Sequence, residues 1–194
     1  MFRINWKKEI LTIPNLLSLF RLLLIPVYMS IYLHAASTSD YYLSAAILAV
    51  SCLTDLVDGK IARHFNMIST IGKILDPFAD KATQFTLILC LALKHPILWY
   101  LVILFVIKEG FQLIAGSITL RQGRMLDGAL FSGKICTTVL FVSLITLVML
   151  PTLSNKWITI ITAVDAAFML NAFIQYILAY ICKSSYIHDI PNES

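Results

Sequence analysis

The 194-residue sequence predicts an all-α integral membrane protein: six transmembrane helices preceded by an N-terminal amphipathic helix on the membrane surface. Three observations predict it. The composition is 59% hydrophobic and only 13% charged, with a mean hydropathy of +0.82, whereas soluble domains run at ~45–50% apolar and ~25% charged. One core of this size cannot hide so much apolar surface, so lipid is the solvent for most of the chain. Apolar runs recur six times, each with or near the ~20 residues that a helix needs to cross hydrocarbon. Between them fall breaks with turn chemistry: Ser37-Thr38-Ser39-Asp40, His95-Pro96, Gln122-Gly123, and Pro151 through Asn155. A soluble enzyme, a disordered chain and a secreted disulfide scaffold are excluded. Cys52, Cys90, Cys136 and Cys182 lie in separate apolar segments with no C-x-x-C pair, and read as buried small hydrophobes.

The elements follow in order. Residues 1–11 mix Phe2, Ile4, Trp6 and Leu11 with Arg3, Lys7 and Lys8, the pattern of a short helix lying on the inner leaflet. The next run is too long for a signal peptide, carries Arg21 and lacks a small-x-small cleavage site. The six spans are 16–34, 41–58, 78–93 (extended backwards through 71–75), 97–120, 134–150 and 157–182. Open sheet edges cannot be satisfied in hydrocarbon, so the spans are helical. No repeat or linker divides residues 1–194, which read as a single membrane domain.

Basic residues set the orientation. One set of ends carries Arg3, Lys7, Lys8, Lys60, Arg63, Lys73, Arg121, Arg124 and Lys183; the opposite connections carry only Lys94 and Lys156. The positive-inside rule puts both termini in the cytoplasm. The net charge of +4 speaks to orientation and not to a nucleic-acid partner.

The acidic residues carry the chemistry. Glu9, Asp40, Asp189 and Glu193 fall in tails or loops and need no special role, but Asp55, Asp58, Asp76 and Asp80 crowd the edges of the second and third spans. Glu109, Asp127 and Asp165 lie in or near apolar segments, where an ionisable group is costly and functional by default. If the second span continues as a helix, Asp55 and Asp58 are i, i+3 neighbours with Gly59 and Ala62 on the same face. With Ser69 as N-cap of the third, Gly72, Asp76 and Asp80 are spaced i, i+4, i+8. Two antiparallel helices would then bring four carboxylates together near the cytoplasmic interface. Pro77 either kinks a helix begun at Ser69 or sits in the first turn of one capped by Asp76. Lys60, Arg63, Lys73 and Lys81 offset part of the repulsion, but so many hard oxygen ligands suit one or two Mg²⁺ or Mn²⁺ ions. A paired-metal site clamps a phosphate during in-line displacement. The missing side chain at Gly59 and the methyl at Ala62 leave room for a phosphate ligand against the backbone.

The string D-x2-D-G-x2-A-R-x8-G-x3-D-x3-D, filled at every fixed position between Asp55 and Asp80, resembles the signature of the CDP-alcohol phosphotransferase family. The resemblance implies that Asp55 and Asp76 hold two Mg²⁺ or Mn²⁺ ions, that Asp58 binds one of them, and that Asp80 binds the other and is the catalytic general base. Gly59, Arg63 and Ser69 match positions that contact the CDP moiety of CDP-diacylglycerol, with Ala62 and Gly72 in the same binding motif. The Pro14-Asn15-Leu-Leu-Ser18 entry to the first span resembles another nucleotide-contacting segment, which adds Asn15 to the set. The implied reaction is attack of an alcohol on the phosphate nearest the diacylglycerol, with CMP leaving. The implied setting is a bacterial-type cytoplasmic membrane with the active site facing the cytoplasm, membrane lipid as partner, and a homodimer.

For the acceptor, the resemblance is closest to the phosphatidylglycerophosphate synthases, which use sn-glycerol 3-phosphate. A phosphate dianion needs fixed cations; Arg124 and Lys134 are the first choices, with Arg121 and Lys81 beside them. Ordinary positive-inside topology also accounts for Arg121 and Arg124. Those synthases usually carry Arg where Lys108 stands and a second Lys where Cys136 stands, with a Gln shortly after that this chain lacks. The cardiolipin synthases of the same family, which use phosphatidylglycerol, are therefore the alternative. A small cation channel or transporter is a remote third reading, since its acidic groups would be distributed through the membrane depth. Lys108 and Glu109 read as an internal ion pair or as a device that positions acceptor cations. Asp165 is expected to pair with a neighbouring helix or with Asn171. His34, His64, His95 and His188 are scattered and form no ligand set.

Overall fold

A computed structural model of the chain describes residues 13–64, 72–122, 124–126, 130–181 and 187–189, with the backbone alone at 13–14, 52–53, 55–64, 72–74, 124–126 and 187–189. Six helices follow one another: α1 (Ile13–Leu33), α2 (Thr38–His64), α3 (Gly72–Lys94), α4 (Trp99–Arg121), α5 (Phe131–Met149) and α6 (Asn155–Ile181). They correspond one to one with the six apolar runs. Among the described residues, four stretches are long and apolar enough to cross a membrane: Asn15–Leu33, Pro96–Arg121, Phe131–Met149 and Asn155–Ile181. The other two helices have the length, 27 and 23 residues, but concentrate charge. Asp40, Asp55, Asp58, Lys60 and Arg63 lie on α2, and Lys73, Asp76, Asp80, Lys81 and Lys94 on α3. The expected surface helix at 1–11 lies outside the described residues.

Two details of the elements differ from the sequence reading or settle it. Helix α3 begins at Gly72 and runs through Pro77, so the proline lies inside the helix and Asp76 is not its cap. Asp76 and Asp80 are therefore i, i+4 on one continuous helix. The second is a short antiparallel ribbon between β1 (Arg124–Leu126) and β2 (Ile187–Asp189), with Arg124 opposite Asp189. Among the described residues the fold is otherwise all-helical, as the sequence predicts. Residues 124–126, between α4 and α5, pair their backbone groups with residues 187–189 instead of with a helix.

Asp40 also has a role that its place near a loop concealed. It lies in the first turn of α2 and accepts hydrogen bonds from the backbone N–H groups of Ser37 at 2.9 Å and Ala36 at 3.0 Å. These donors hold its carboxyl below the ordinary carboxylate value, and the helix N-terminus favours the same charge. A depressed carboxyl pKa adds stability above the unfolded value and loses it as pH falls through the folded one. Asp40→Ala is thus expected to melt lower than the parent at pH 7, with the gap narrowing as the pH falls through the lowered carboxyl value, measured by thermal unfolding in detergent.

The contacts group the chain into two compact units, residues 1–91 with 145–151, and residues 92–144 with 152–194. In the first, α1 packs along α2. Tyr28 and Tyr32 are each 2% exposed, stack at 5.6 Å between ring centroids, and Tyr32 meets Tyr41 edge-on at 5.6 Å. Helix α3 buries Ala79, Thr83, Gln84, Leu87, Ile88 and Leu91, one face at helical spacing.

In the second unit α6 buries Ile158, Thr162, Asp165, Met169, Ala172, Tyr176 and Ala179. These alternate in steps of four and three, the seam of a helix packed lengthwise on its neighbours. Phe111 of α4 meets Phe173 and Tyr180 edge-on at 5.4 and 6.2 Å. Gly133 of α5 lets α6 approach: a Cβ there would stand 2.5 Å from the Tyr176 hydroxyl and 3.0 Å from its ring. Gly133→Ala is expected to cost about 1–3 kcal/mol through overpacking. Thermal unfolding checks it, with Tyr176→Phe restoring most of the loss by removing the closest atom.

Candidate active site

Helix α1 is apolar outside and polar inside. Leu16, Leu19, Phe20 and Leu23 are exposed, while Asn15, Ser18 and Arg21 are buried, at i, i+3 and i+6 on one face. In lipid this inversion is expected, because a polar side chain must find its partners inside the protein.

The partners are the aspartates of α3. The Ser18 hydroxyl donates to Oδ1 of Asp76. The Arg21 guanidinium, through Nη1, donates to and pairs with Oδ1 of Asp80. The Arg21 side chain is 2% exposed and that of Asp80 44%. The arginine is thus the anchored partner, and the carboxylate reaches from it towards the open side. Charge assistance makes such a bond about twice as strong as a neutral one, and it fixes where the Asp80 oxygens stand. In the sequence Arg21 bears only on the exclusion of a signal peptide. Its signal was there nonetheless: a cation in an apolar span, in register with Asn15 and Ser18.

The other site residues divide by what is described. Asp55, Asp58, Gly59, Ala62 and Arg63 lie on the last three turns of α2, and Gly72 opens α3; only their backbone is described. Ser69 lies outside the described residues. Asp55 and Asp58 therefore hold the helical spacing expected of them, while the meeting of all four carboxylates falls outside what is described. Among the described side chains, no three of His, Cys, Asp and Glu gather as a metal-ligand group.

Of the acceptor candidates, Lys81 follows Asp80 on α3 and is half-buried. Arg121 ends α4, Arg124 lies in β1, and Lys134 sits in the first turn of α5. Arg121 and Lys134 are exposed. Within the same unit Lys108 is buried, with its Nζ 2.6 Å from Oε1 of Glu109 and 5.8 Å from the centroid of the Tyr176 ring. The internal ion pair is thus the arrangement that forms, as a buried ammonium in a membrane helix requires. Cys136 is buried. Asp165 is 1% exposed. Asn171 is exposed on another face of α6, and both Asp165 carboxylate oxygens are buried without a hydrogen-bond partner among the described residues.

A buried arginine and serine thus grip two aspartates spaced i, i+4, and two more aspartates lie on the preceding helix. Residues 11–177 match the CDP-alcohol phosphatidyltransferase family, and the chain belongs to it. A Mycobacterium tuberculosis protein provisionally named a cardiolipin synthase is 30% identical over 177 residues, 90% of this chain and 82% of its own length. A Streptomyces coelicolor cardiolipin synthase (CMP-forming) is 32% identical over 132 residues, 66% of this chain and 61% of its own. The CDP-diacylglycerol–glycerol-3-phosphate 3-phosphatidyltransferase of Aquifex aeolicus is 32% identical over 156 residues, 79% of this chain and 85% of its own.

Proposed function

We propose that the chain transfers the phosphatidyl group of CDP-diacylglycerol to sn-glycerol 3-phosphate in a cytoplasmic membrane, with all six helices crossing the bilayer and the aspartates facing the cytoplasm. The observation that carries the chemistry is the grip of α1 on Asp76 and Asp80. The acceptor hydroxyl oxygen forms a bond to the phosphorus next to the diacylglycerol, the bond from that phosphorus to CMP breaks, and the hydroxyl proton passes to Asp80. Arg21 holds Asp80 in place and Ser18 holds Asp76. The small residues Gly59, Ala62 and Gly72 with Asn15, Arg63 and Ser69 would receive the CDP end. Asp55, Asp58, Asp76 and Asp80 are hard oxygen donors that fit two Mg²⁺ or Mn²⁺ ions, and would hold them. Such ions, when bound, neutralise the charge of the diphosphate.

The glycerol 3-phosphate reading rests on the connection between α4 and α5, which carries Arg121 and Arg124 with Lys134 just after it. Lys81 beside Asp80 adds a fourth cation. A second reading, transfer to phosphatidylglycerol, is favoured by two observations. Glu109 neutralises Lys108, and cardiolipin synthases are among the relatives.

The test is CMP release by detergent-purified protein given CDP-diacylglycerol, Mg²⁺ or Mn²⁺, and one acceptor at a time. Release with glycerol 3-phosphate and not with phosphatidylglycerol is expected. The reverse result overturns the first reading for the second.

A further inference from the structure

A cavity of about 340 Å³ lies between the connection after α3 and the first turns of α6. Its volume is within the ~300–1,000 Å³ of small-ligand sites. The connection makes room for it: His95 has extended backbone at φ −128° and ψ 97°, and Pro96 opens a single 3-10 turn to Leu98. Pro96, Ile97 and Ile158 form an apolar wall, and Ile158 is 3% exposed. Lys94, His95 and the Asn155 amide supply the polar side. Among the described residues no carboxylate lines it.

The charge here calls for a local cause. Lys94 and Lys156 are the only cations on the sparsely charged set of connections. One lines this cavity, and the other adjoins Asn155, which does. Trp99, Tyr100 and Trp157 are exposed on the helix ends that flank it, the belt that marks headgroup depth at a membrane surface. We propose that this cavity is a binding site for an anionic phosphate group, that of a phospholipid headgroup, held by Lys94 and His95 with the glycerol backbone against Pro96, Ile97 and Ile158. The site shares no residue with the aspartate set and does not depend on which alcohol that set serves. Burial, with Lys94 adding to it, holds the His95 imidazole below the ordinary histidine range. Among the lining residues Lys94 is the titratable group beside it; α6 presents Asn155, Ile158 and Thr159, none of which titrates. An arriving phosphate would reverse that balance and return the proton to His95.

Native mass spectrometry of delipidated protein, titrated with dioleoylphosphatidylglycerol or dioleoylphosphatidylcholine, tests the proposal. The parent is expected to bind the anionic lipid more tightly, and Lys94→Gln with His95→Gln to lose on the order of tenfold in that affinity, as expected for removal of an interfacial cation and an imidazole donor. Thr159→Trp fills the mouth from α6, keeps Lys94 and His95 and is expected to lose the same lipid. In NMR of histidine-labelled protein, with His95→Gln assigning the signal, the His95 pKa is expected to rise when phosphatidylglycerol is added. Inorganic phosphate, titrated alongside, identifies the source. Displacement of the lipid supports recognition of the phosphate alone, and failure to displace it supports a headgroup site. Equal affinity for the two lipids, unchanged affinity in the variants, or a His95 titration indifferent to lipid would each overturn the proposal.

Discussion

Asp80→Asn is expected to lower CMP release by about 10²–10⁴-fold, the contribution of a positioned general base, while the protein stays folded and still binds CDP-diacylglycerol. The reason lies in the Arg21–Asp80 pair. Asparagine keeps an oxygen for the guanidinium, so the buried cation retains a hydrogen-bond acceptor, but it cannot take the proton of an attacking hydroxyl. Asp80→Ala removes both functions and leaves Arg21 buried without Asp80, so it is expected to lose stability as well as activity. Comparing the two variants by thermal unfolding and by single-turnover CMP release separates the base from the structural partner. Wild-type turnover in Asp80→Asn would remove Asp80 from the role of base.

Arg21 is the second residue with a large expected effect, and it acts through Asp80 instead of touching substrate. Arg21→Lys keeps the charge but loses the planar fork that aims the pair. Misplacement of a reacting group by an ångström costs on the order of 10²-fold, so kcat is expected to fall by that much with KM for CDP-diacylglycerol little changed. Arg21→Met removes the charge altogether. Breaking a fully buried pair costs about 3–5 kcal/mol; here water reaches the half-exposed Asp80 carboxylate, so the loss is expected at or below the lower end. A merely structural arginine would give the opposite pattern, with Arg21→Lys active in proportion to the protein that folds. The kcat-against-KM comparison on folded protein distinguishes the two.

What the sequence determined by itself was the list of helices and the string of aspartates. Helix boundaries follow from apolar length and from local breakers, and both are properties of neighbouring residues. His95-Pro96 stops α3, and Ser37 with Asp40 starts α2. The spacing of Asp76 and Asp80 needed only helical geometry, once Pro77 was known to lie within the helix. Lys108 with Glu109 was legible for the same reason, since adjacent residues can pair without a fold. The family could be recognised because its signature is confined to residues 55–80.

Tertiary structure alone decided which polar residue meets which. Ser18 and Asp76 are 58 residues apart, and Arg21 and Asp80 are 59; no periodicity within either helix names the other. Hydrophobicity does not mark the buried face of a membrane helix, because lipid is as apolar as the interior, so α6 reads as uniformly greasy until Thr162, Asp165 and Tyr176 are seen on one seam. The same limit hid the tail strand at Ile187–Asp189, whose partner Arg124–Leu126 lies across α5 and α6 in sequence. For Ser18 with Asp76 and Arg21 with Asp80 the deciding term is the need of a buried polar group for a specific partner, and that partner is chosen by how the helices pack.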